Sequence, residues 1–240
     1  MLKQLILKWP IPLLIAISSA SFCLTNTDAL SLNFISKILE KKKYITVEGE
    51  VYFKRQGGVL TTHLTKPFEN VTIVNANGDM KNYDVLDNTL LQSSSALTSS
   101  ESSYFWYFLN GNYNDLGFAK IGYVIKDTKV DDGVFITNWV PKPGLNSPIQ
   151  KIEMAHEKSL PIYLEFIDAK NKPLGKIFFS SYQKIGNVNI PLKITEIAYK
   201  EKNDSTVTIK VYSNPKINNE VNLTYLDFKI PANAKVVSGK

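Results

Sequence analysis

Cysteine and histidine are scarce in this chain of 240 residues, which has one cysteine and two histidines. The cysteine, Cys23, lies in an apolar segment near the N-terminus and has no second cysteine with which to form a disulfide within the chain. The region after Cys23 therefore offers neither a thiol nucleophile nor a thiolate ligand for a metal ion. We expect the stability of this region to come from its hydrophobic core.

Catalytic motifs are also missing from the sequence. Neither His63 nor His156 belongs to a serine-elbow, paired-histidine or carboxylate motif. We expect His63 to face solvent, because it lies on the opposite strand parity from the apolar residues around it. Asp131-Asp132-Gly133 is typical of a turn between strands and lacks the spacing of a calcium loop. The sequence therefore predicts a protein that is not an enzyme and holds no metal ion or cofactor.

Neither sign of charge dominates, since 28 Lys and Arg stand against 22 Asp and Glu, for a formal net charge of +6. Basic and acidic residues are interleaved instead of forming a basic stripe, and there is no glycine-rich phosphate loop. This pattern does not favour nucleic acid as a partner. Contact with an anionic membrane surface or an acidic docking partner stays open.

The sequence has no apolar run of the roughly 20 residues that a comfortable membrane span needs. A shorter apolar stretch at 11–20 follows Lys3 and Lys8 and precedes several small residues, which is the pattern of a secretory signal peptide. We therefore predict a signal peptide over residues 1–29 and a single exported domain over residues 30–240. Phe22 precedes Cys23 where a lipidated cysteine needs a small residue, so we interpret Cys23 as part of the leader.

The clearest strand signal is YITVEGEVYFK at residues 44–54. Apolar residues recur at every second position, as expected for a half-buried antiparallel strand. If the strand keeps its register for one more residue, Arg55 points to the apolar face and its five N–H donors need acceptors there. If the turn at 56–58 begins at once, Arg55 instead turns into water.

Three further strands follow this one in short succession. Residues 59–66 predict a strand that Pro67 closes, and 71–74 predict another. Asn77-Gly78 favours a hairpin turn with positive φ angles, leading into a strand that runs through Tyr83. Between residues 84 and 120 the strand pattern stops, and a serine-rich segment at 92–103 is typical of a surface loop.

Two segments predict helices. Residues 30–43 have apolar residues on one helical face and three lysines at the end, which suit the negative end of the helix dipole. The aromatic run Tyr-Phe-Trp-Tyr-Phe-Leu at 104–109 has Ser102 or Ser103 as a candidate N-cap and Gly111 as a candidate C′ residue. Each helix is either a mobile lid or a permanently packed part of the core, and periodicity does not separate the two.

From residue 121 onward the pattern predicts strand after strand, with explicit turns between them. The segments are 121–126, 134–140, 149–155, 161–167, 174–182, 192–200, 206–212 and 221–230. A meander of about eleven or twelve antiparallel strands must curl, because strand twist accumulates. The sequence therefore predicts an α+β fold, an incomplete, half-open antiparallel β-barrel whose apolar concave face is covered by helices that form a lid.

Several segments, taken in order, resemble the periplasmic lipoprotein carrier family LolA. They are Gly-Glu-Val-Tyr-Phe-Lys-Arg at 49–55, His-Leu-Thr-Lys-Pro at 63–67, the Asn-Gly hairpin with Tyr83, and Phe-Lys-Ile-Pro at 228–231 followed by Ala234 and Val236. Gln56 and Thr62 depart from the family pattern, which commonly has proline and tryptophan there. The matches span most of the region after the predicted leader.

The resemblance implies a periplasmic carrier that binds the acyl chains of lipoproteins in a hydrophobic cavity and moves them from the inner to the outer membrane. Its partners would be acylated lipoproteins, an inner-membrane lipoprotein-releasing transporter and an outer-membrane acceptor, and the carrier itself would be a monomer. In the family the arginine that matches Arg55 holds the lid by hydrogen bonds to backbone carbonyls of the lid. The candidate lining residues of the lipid cavity are Phe34, Ile38, Val47, Val51, Phe53, Phe105, Trp106 and Phe108.

Two other functions stay open. One is an outer-membrane acceptor (LolB-like) or a free-lipid carrier of the same fold, and a lipid on Cys23 would support the acceptor. The other is an exported hydrolase, which would need activity on an ester or glycoside substrate that depends on one carboxylate or on His156.

Overall fold

Fourteen strands form one sheet in the computed structural model, which describes residues 27–95, 99–100, 103–200 and 204–237. The first six strands are β1 (Ala29–Glu40), β2 (Lys43–Lys54), β3 (Val59–Lys66), β4 (Asn70–Val74), β5 (Asp79–Asp84) and β6 (Thr89–Ser94). The next four are β7 (Tyr123–Asp131), β8 (Val134–Pro141), β9 (Lys151–Glu157) and β10 (Leu160–Ile167). The last four are β11 (Pro173–Ile185), β12 (Val188–Tyr199), β13 (Ser205–Ile217) and β14 (Lys235–Val237).

Two meanders make up the sheet, and β1 joins them. Strands β1 to β6 pair in chain order, strands β7 to β13 do the same, and β1 pairs with both β2 and β13. The short strand β14 adds to β6 in parallel, with Lys235 opposite Thr89, whereas all the other pairs are antiparallel. Strands β7 and β14 each have one neighbour among the described residues, so the sheet is open and does not close into a barrel.

The helices are short. Helix α1 (Tyr104–Leu109) lies between the two meanders in sequence, and helix α2 (Leu223–Leu226) follows β13 after a 3₁₀ turn at Asn218–Glu220. As predicted, Ser103 caps α1, its hydroxyl accepting a hydrogen bond from the Phe105 N–H at 3.3 Å, and Gly111 follows the helix with a φ of +66°. The predicted hairpin turn is also present, because Gly78 between β4 and β5 has a φ of +85°.

The helix predicted over residues 30–43 is wrong, because this segment is strand β1. Leu32, Phe34 and Ser36 are buried, whereas Asn33 and Ile35 between them are exposed, which is a period of two. The apolar residues of the segment fit both the 3.6-residue period of a helix and the two-residue period of a strand, so the sequence pattern alone was ambiguous. Strand pairing decides the outcome, since β1 forms hydrogen-bonded ladders with strands on both of its sides.

The predicted number of strands is also wrong, at eleven or twelve against fourteen among the described residues. Strand β6 was missed because its second half, Gln92–Ser94, is polar and exposed. The strand predicted over residues 221–230 is wrong, because this segment contains helix α2 at Leu223–Leu226 and irregular chain on either side of it. The Asn222 side chain caps α2 by accepting from the Thr224 N–H at 3.0 Å.

The main core lies on one face of the sheet, which we call the inner face. Helix α1 and the segment at 110–122 cover this face, and the largest buried cluster of the described chain forms between them and the strands. Its members include Leu32, Phe53, Phe108, Leu109, Trp139, Met154, Leu164, Phe179, Ile190 and Ile194. A smaller cluster on the opposite, outer face joins α2 to β2 through Ala29, Tyr52, Val221 and Leu226.

Candidate functional site

Helix α1 consists mainly of aromatic residues and packs against the inner face. Phe108 is 1% exposed and packs edge-on against Phe179, with ring centroids 5.4 Å apart. Phe105 makes a similar edge contact with Tyr212 at 4.9 Å. All six residues of α1 are apolar or aromatic, and such a helix needs extensive cover. Phe108 and Leu109 are buried against the inner face, whereas Tyr104–Tyr107 are partly buried.

The position of α1 over β2 and β3 depends on Gly58. This residue has a φ of +57°, and a Cβ atom on it would come within 2.9 Å of Trp106 Cζ3. Trp106 in turn packs edge-on against Phe53 of β2, with centroids 6.0 Å apart. A larger residue at 58 would therefore push α1 away from the sheet as well as straining the turn.

Arg55 connects the end of β2 to the C-terminus of α1. Its Nη2 donates to the Leu109 carbonyl oxygen at 2.9 Å, and its Nη1 donates to Asn110 Oδ1 at 2.8 Å. Its Nε donates to the Thr27 carbonyl oxygen at 3.0 Å. The last carbonyls of a helix lack partners within the helix, so the guanidinium satisfies one of them and also lies at the negative end of the short helix.

The segment at 110–122 continues the cover beyond α1. Leu116 and Phe118 are buried, and the Phe118 ring lies 6.1 Å from that of Trp139. Polar contacts hold the segment to the sheet at Tyr113, whose carbonyl lies 2.8 Å from His156 Nε2 and whose hydroxyl accepts from the Asn189 N–H at 2.7 Å. Helix α1 and this segment thus form one continuous layer.

A cavity of about 240 Å³ remains beneath the first turn of α1, where Ser103, Tyr104 and Phe105 line it. Its apolar walls come from β1, β2, β3, β12, β13 and the helix, namely Phe34, Val51, Leu60, Ile194, Tyr212, Tyr104 and Phe105. This volume is below the roughly 300–1,000 Å³ of typical small-molecule sites. A cavity of this volume has room for only part of an acyl chain.

Charged and hydroxyl groups line the same cavity. Lys210 Nζ lies 2.9 Å from Glu196 Oε1. Burial, and secondly the charge of Glu196, raise the pKa values of the Tyr104 and Tyr212 hydroxyls above their ordinary values. The cavity therefore combines apolar walls with a small polar group, the usual character of a ligand site.

Several larger clefts lie elsewhere on the described chain, and two of them have His156 or Arg55 in their walls. One, of about 670 Å³, lies between the segment at 110–122 and the ends of β7 to β9, where Ile125 and Phe135 are about half exposed. The other, of about 760 Å³, lies beside Arg55 and Asn218 at the outer surface. The smaller cavity beneath α1 is the one whose walls belong mainly to the core, so we take it as the candidate site.

The structure brings most of the predicted lining residues to this region. Phe34, Val51 and Phe105 line the cavity, and Phe53, Trp106 and Phe108 belong to the packed layer around it. Ile38 and Val47 lie further along β1 and β2, near the hairpin that joins those strands, and both are partly exposed. Phe34 and Ile38 reach the inner face from a strand, although the sequence pattern placed them on a helix. Lys210 and Glu196 were not singled out from the sequence, because their positions relative to the cavity depend on strand register.

The prediction that His63 faces solvent is wrong. His63 is 7% exposed, its ring stacks on Tyr225 at a centroid distance of 4.0 Å, and its Nε2 lies 2.9 Å from Glu69 Oε1. Its strand parity directs it to the outer face, as expected, but α2 covers the outer face there.

No helix within the described ranges is long and apolar enough to cross a membrane. Across those same ranges, no three His, Cys, Asp or Glu side chains come together in a group that could hold a metal ion. Most of the predicted leader, including Cys23, lies outside the described residues, whereas Thr27–Ala29 are part of the fold.

No family model matches the sequence, and no curated protein matches it by sequence. Solved structures match it by fold. A DUF1329 family protein from Desulfovibrio piger has a TM-score of 0.58 and 16% identity, with 85% of this chain and 92% of that protein covered. A LolA superfamily protein from Nitrosomonas europaea has a TM-score of 0.55 and 11% identity, with coverages of 84% and 91%.

A third structure, a domain assigned to outer-membrane lipoprotein sorting in Vibrio parahaemolyticus, has a TM-score of 0.55 and 12% identity. It covers 83% of this chain and 89% of its own. At these identities the likeness concerns the fold, and it agrees with the resemblance carried by the sequence motifs. The chain therefore has a LolA-like fold, an open, mostly antiparallel sheet with few helices.

Proposed function

We propose that this protein is a periplasmic carrier that binds the acyl chains of lipoproteins on the inner face of its sheet, beneath α1. The observation that carries the proposal is the aromatic helix α1, seated over an apolar cavity of about 240 Å³. The similarity to a lipoprotein-sorting domain supports the same class of ligand. The acylated lipoprotein would come from an inner-membrane releasing transporter and pass to an outer-membrane acceptor, with the carrier acting as a monomer and not as an enzyme.

The energetics of acyl burial suit such a site. Each buried CH₂ group contributes about 0.8 kcal/mol, so a few carbons beneath α1 offset contacts that the helix loses when it moves. A carrier must also release its ligand. Competition between the acyl chain and the aromatic side chains of α1 for the same surface lowers the net affinity and so favours release.

Arg55 has the role of a latch in this proposal. Its hydrogen bonds to the Leu109 carbonyl and the Asn110 side chain tie the end of α1 to β2. Moving α1 away from the sheet would break these bonds, each worth about 1.5–3 kcal/mol for a charged donor. Removing the guanidinium therefore lowers the free-energy difference between the seated and displaced positions of α1.

The test is native mass spectrometry of the protein purified from periplasmic extract, with an Arg55→Leu variant beside the wild type. We expect acylated polypeptide to co-purify with the protein and to accumulate on Arg55→Leu. Lys54→Leu is the matched control, because Lys54 is the adjacent cation but pairs with Asp227 at 2.6 Å on the outer face. If equal fractions of Arg55→Leu and Lys54→Leu carry acylated polypeptide, the role of Arg55 as a latch is contradicted.

Two results would redirect the proposal. Phospholipid without polypeptide would favour a free-lipid carrier of the same fold, and a mass increase on Cys23 would favour a membrane-anchored acceptor. A protein that is empty and does not bind a fluorescent acyl probe would contradict lipid binding altogether. In that case a panel of ester and glycoside substrates tests the exported hydrolase.

A further inference from the structure

A charged pair stands on the apolar inner face, next to the cavity beneath α1. Lys210 of β13 lies opposite Ser36 and Ile194, which are 6% and 3% exposed. Glu196 of β12 lies opposite Ile177, which is 6% exposed. Because residues opposite each other in a ladder share a face, both charges project to the side of the sheet that carries the core.

The pair retains unused hydrogen-bonding capacity. Lysine has three donors, and within the described part of the chain Glu196 is the partner that Lys210 contacts, at 2.9 Å. The second carboxylate oxygen of Glu196 can accept from a ligand. The two side chains are 34% and 30% exposed, so they are accessible from the mouth of the cavity while their stems pack beside its apolar walls.

Glu196 and Lys210 are the charged side chains that line this cavity, and they form an ion pair. After burial, the charge of Glu196 also raises the pKa values of the Tyr104 and Tyr212 hydroxyls, and both tyrosines line the cavity. Lys210 neutralises Glu196 but leaves no net positive charge. A free carboxylate that enters the cavity with its acyl chain loses hydration, and the neutral pair offers no net positive charge to offset that loss. An uncharged polar group loses less hydration and meets one donor and one acceptor.

We propose that Lys210 and Glu196 select acyl chains carried on an uncharged glycerol ester and exclude free fatty acids. Lys210 donates to the ester carbonyl, and Glu196 accepts from a hydroxyl or amide N–H of the head group. This inference rests on the proposed function and adds the chemical class of the head group. Both an acylated lipoprotein N-terminus and a free glycerolipid carry this chemistry.

The test measures dissociation constants of the full-length mature protein for monooleoylglycerol and for oleate, by displacement of a fluorescent acylglycerol. We expect the wild type to prefer monooleoylglycerol. Glu196→Gln removes the negative charge and keeps nearly the same side-chain shape. Oleate should therefore bind about fivefold more tightly to this variant. A change of this size matches the strength of charge contacts between partly exposed groups. Monooleoylglycerol binding should change by less than about twofold.

Lys210→Met gives a second, opposite readout, because it leaves Glu196 uncompensated and should weaken oleate binding further. Lys193→Met is the control, since Lys193 belongs to the same pair of strands but is exposed on the outer face. Thermal unfolding of each variant verifies that it is folded. A diacylglyceryl-modified peptide and dioleoylglycerol distinguish the two sources of the ester, because the ligand that binds more tightly identifies the source.

The outcomes separate the two proposals. A wild type that binds acylglycerol, together with a Glu196→Gln variant whose oleate affinity is unchanged, overturns the head-group selection and leaves the carrier proposal in place. The pair would then be a cross-strand contact without a role in binding. A wild type that binds none of the acyl ligands overturns the proposed function itself.

Discussion

Strand β2 is covered on both of its faces, and the two covers are built differently. On the inner face, Phe53 packs against Trp106 of helix α1. On the outer face, the next residue back, Tyr52, stacks on Tyr225 of helix α2 at a centroid distance of 5.6 Å. One strand thus contributes alternate side chains to two separate clusters.

The inner cover is apolar and Arg55 bonds to its end, whereas the outer cover combines a small apolar cluster with stacked rings and polar contacts. Helix α1 packs aromatic edges into the core, and Arg55 bonds to its last turn. Tyr225 of α2 stacks nearly parallel on His63 and Phe228, and an ion pair joins Lys54 to Asp227. Beneath α1 a cavity remains, while the smaller outer cluster is held through stacked rings and an ion pair.

This difference bears on function. An apolar layer above an apolar cavity can be replaced by an apolar ligand of similar area with little change in free energy. Stacked rings with fixed polar partners have no such substitute. We therefore expect changes under α1 to affect both stability and ligand binding, and changes under α2 to affect stability alone.

The largest expected effect comes from Phe108→Ala on the inner side. Phe108 is 1% exposed and contacts three aromatic rings, so its truncation should lower the free energy of unfolding by about 3–5 kcal/mol. Urea denaturation followed by tryptophan fluorescence measures the change. Leu223→Ala, at a residue that is 67% exposed in α2, is the control with little expected effect. A loss below about 1 kcal/mol for Phe108→Ala would contradict the place of α1 in the core.

An intermediate effect is expected for Tyr225→Ala on the outer side. The substitution removes stacking with Tyr52, His63 and Phe228, each pair contributing about 0.5–1.5 kcal/mol, so unfolding should become easier by about 2–3 kcal/mol. Binding of a fluorescent acyl probe should stay unchanged, with Thr224→Ala as the exposed neighbouring control. A clear loss of probe affinity would mean that the two covers are coupled and that the contrast between them fails.

The smallest effect concerns the buried tyrosines beneath α1. Burial raises the pKa of the Tyr212 hydroxyl above its ordinary value of about 10, so the folded state keeps this proton when the unfolded chain loses it. Stability from this group is complete below pH about 10 and is lost as the pH rises above it. Tyr212→Phe should reduce the loss of stability between pH 9 and pH 11 by about 1 kcal/mol.

Urea titrations at the two pH values measure this difference. Tyr44→Phe, at a side chain that is 76% exposed, is the control and should leave the pH dependence as in the wild type. If the two variants behave alike, water reaches the Tyr212 hydroxyl and the layer formed by α1 is looser than its packing indicates.

Local sequence signals predicted the elements whose cues lie close together in the chain. Ser103 and Gly111 frame α1, and Asn77-Gly78 marks the hairpin between β4 and β5, so both elements were found. The segment of β1 fitted the period of a helix as well as that of a strand. Its hydrogen-bonded ladder with β13, about 170 residues away in sequence, makes it a strand. Strand β6 lacked an apolar alternation in its second half, so its pairing with β5 and β14 had no local signal.

The sequence by itself determined the strand-rich architecture, the turns and the aromatic helix, because these depend on neighbours within a few positions. Only the tertiary structure decided that Arg55 reaches the end of α1 and that Lys210 and Glu196 stand beside the cavity. The physical reason is register. A strand residue chooses between two faces by parity, but its partners across the sheet depend on pairings between strands that lie far apart in the chain.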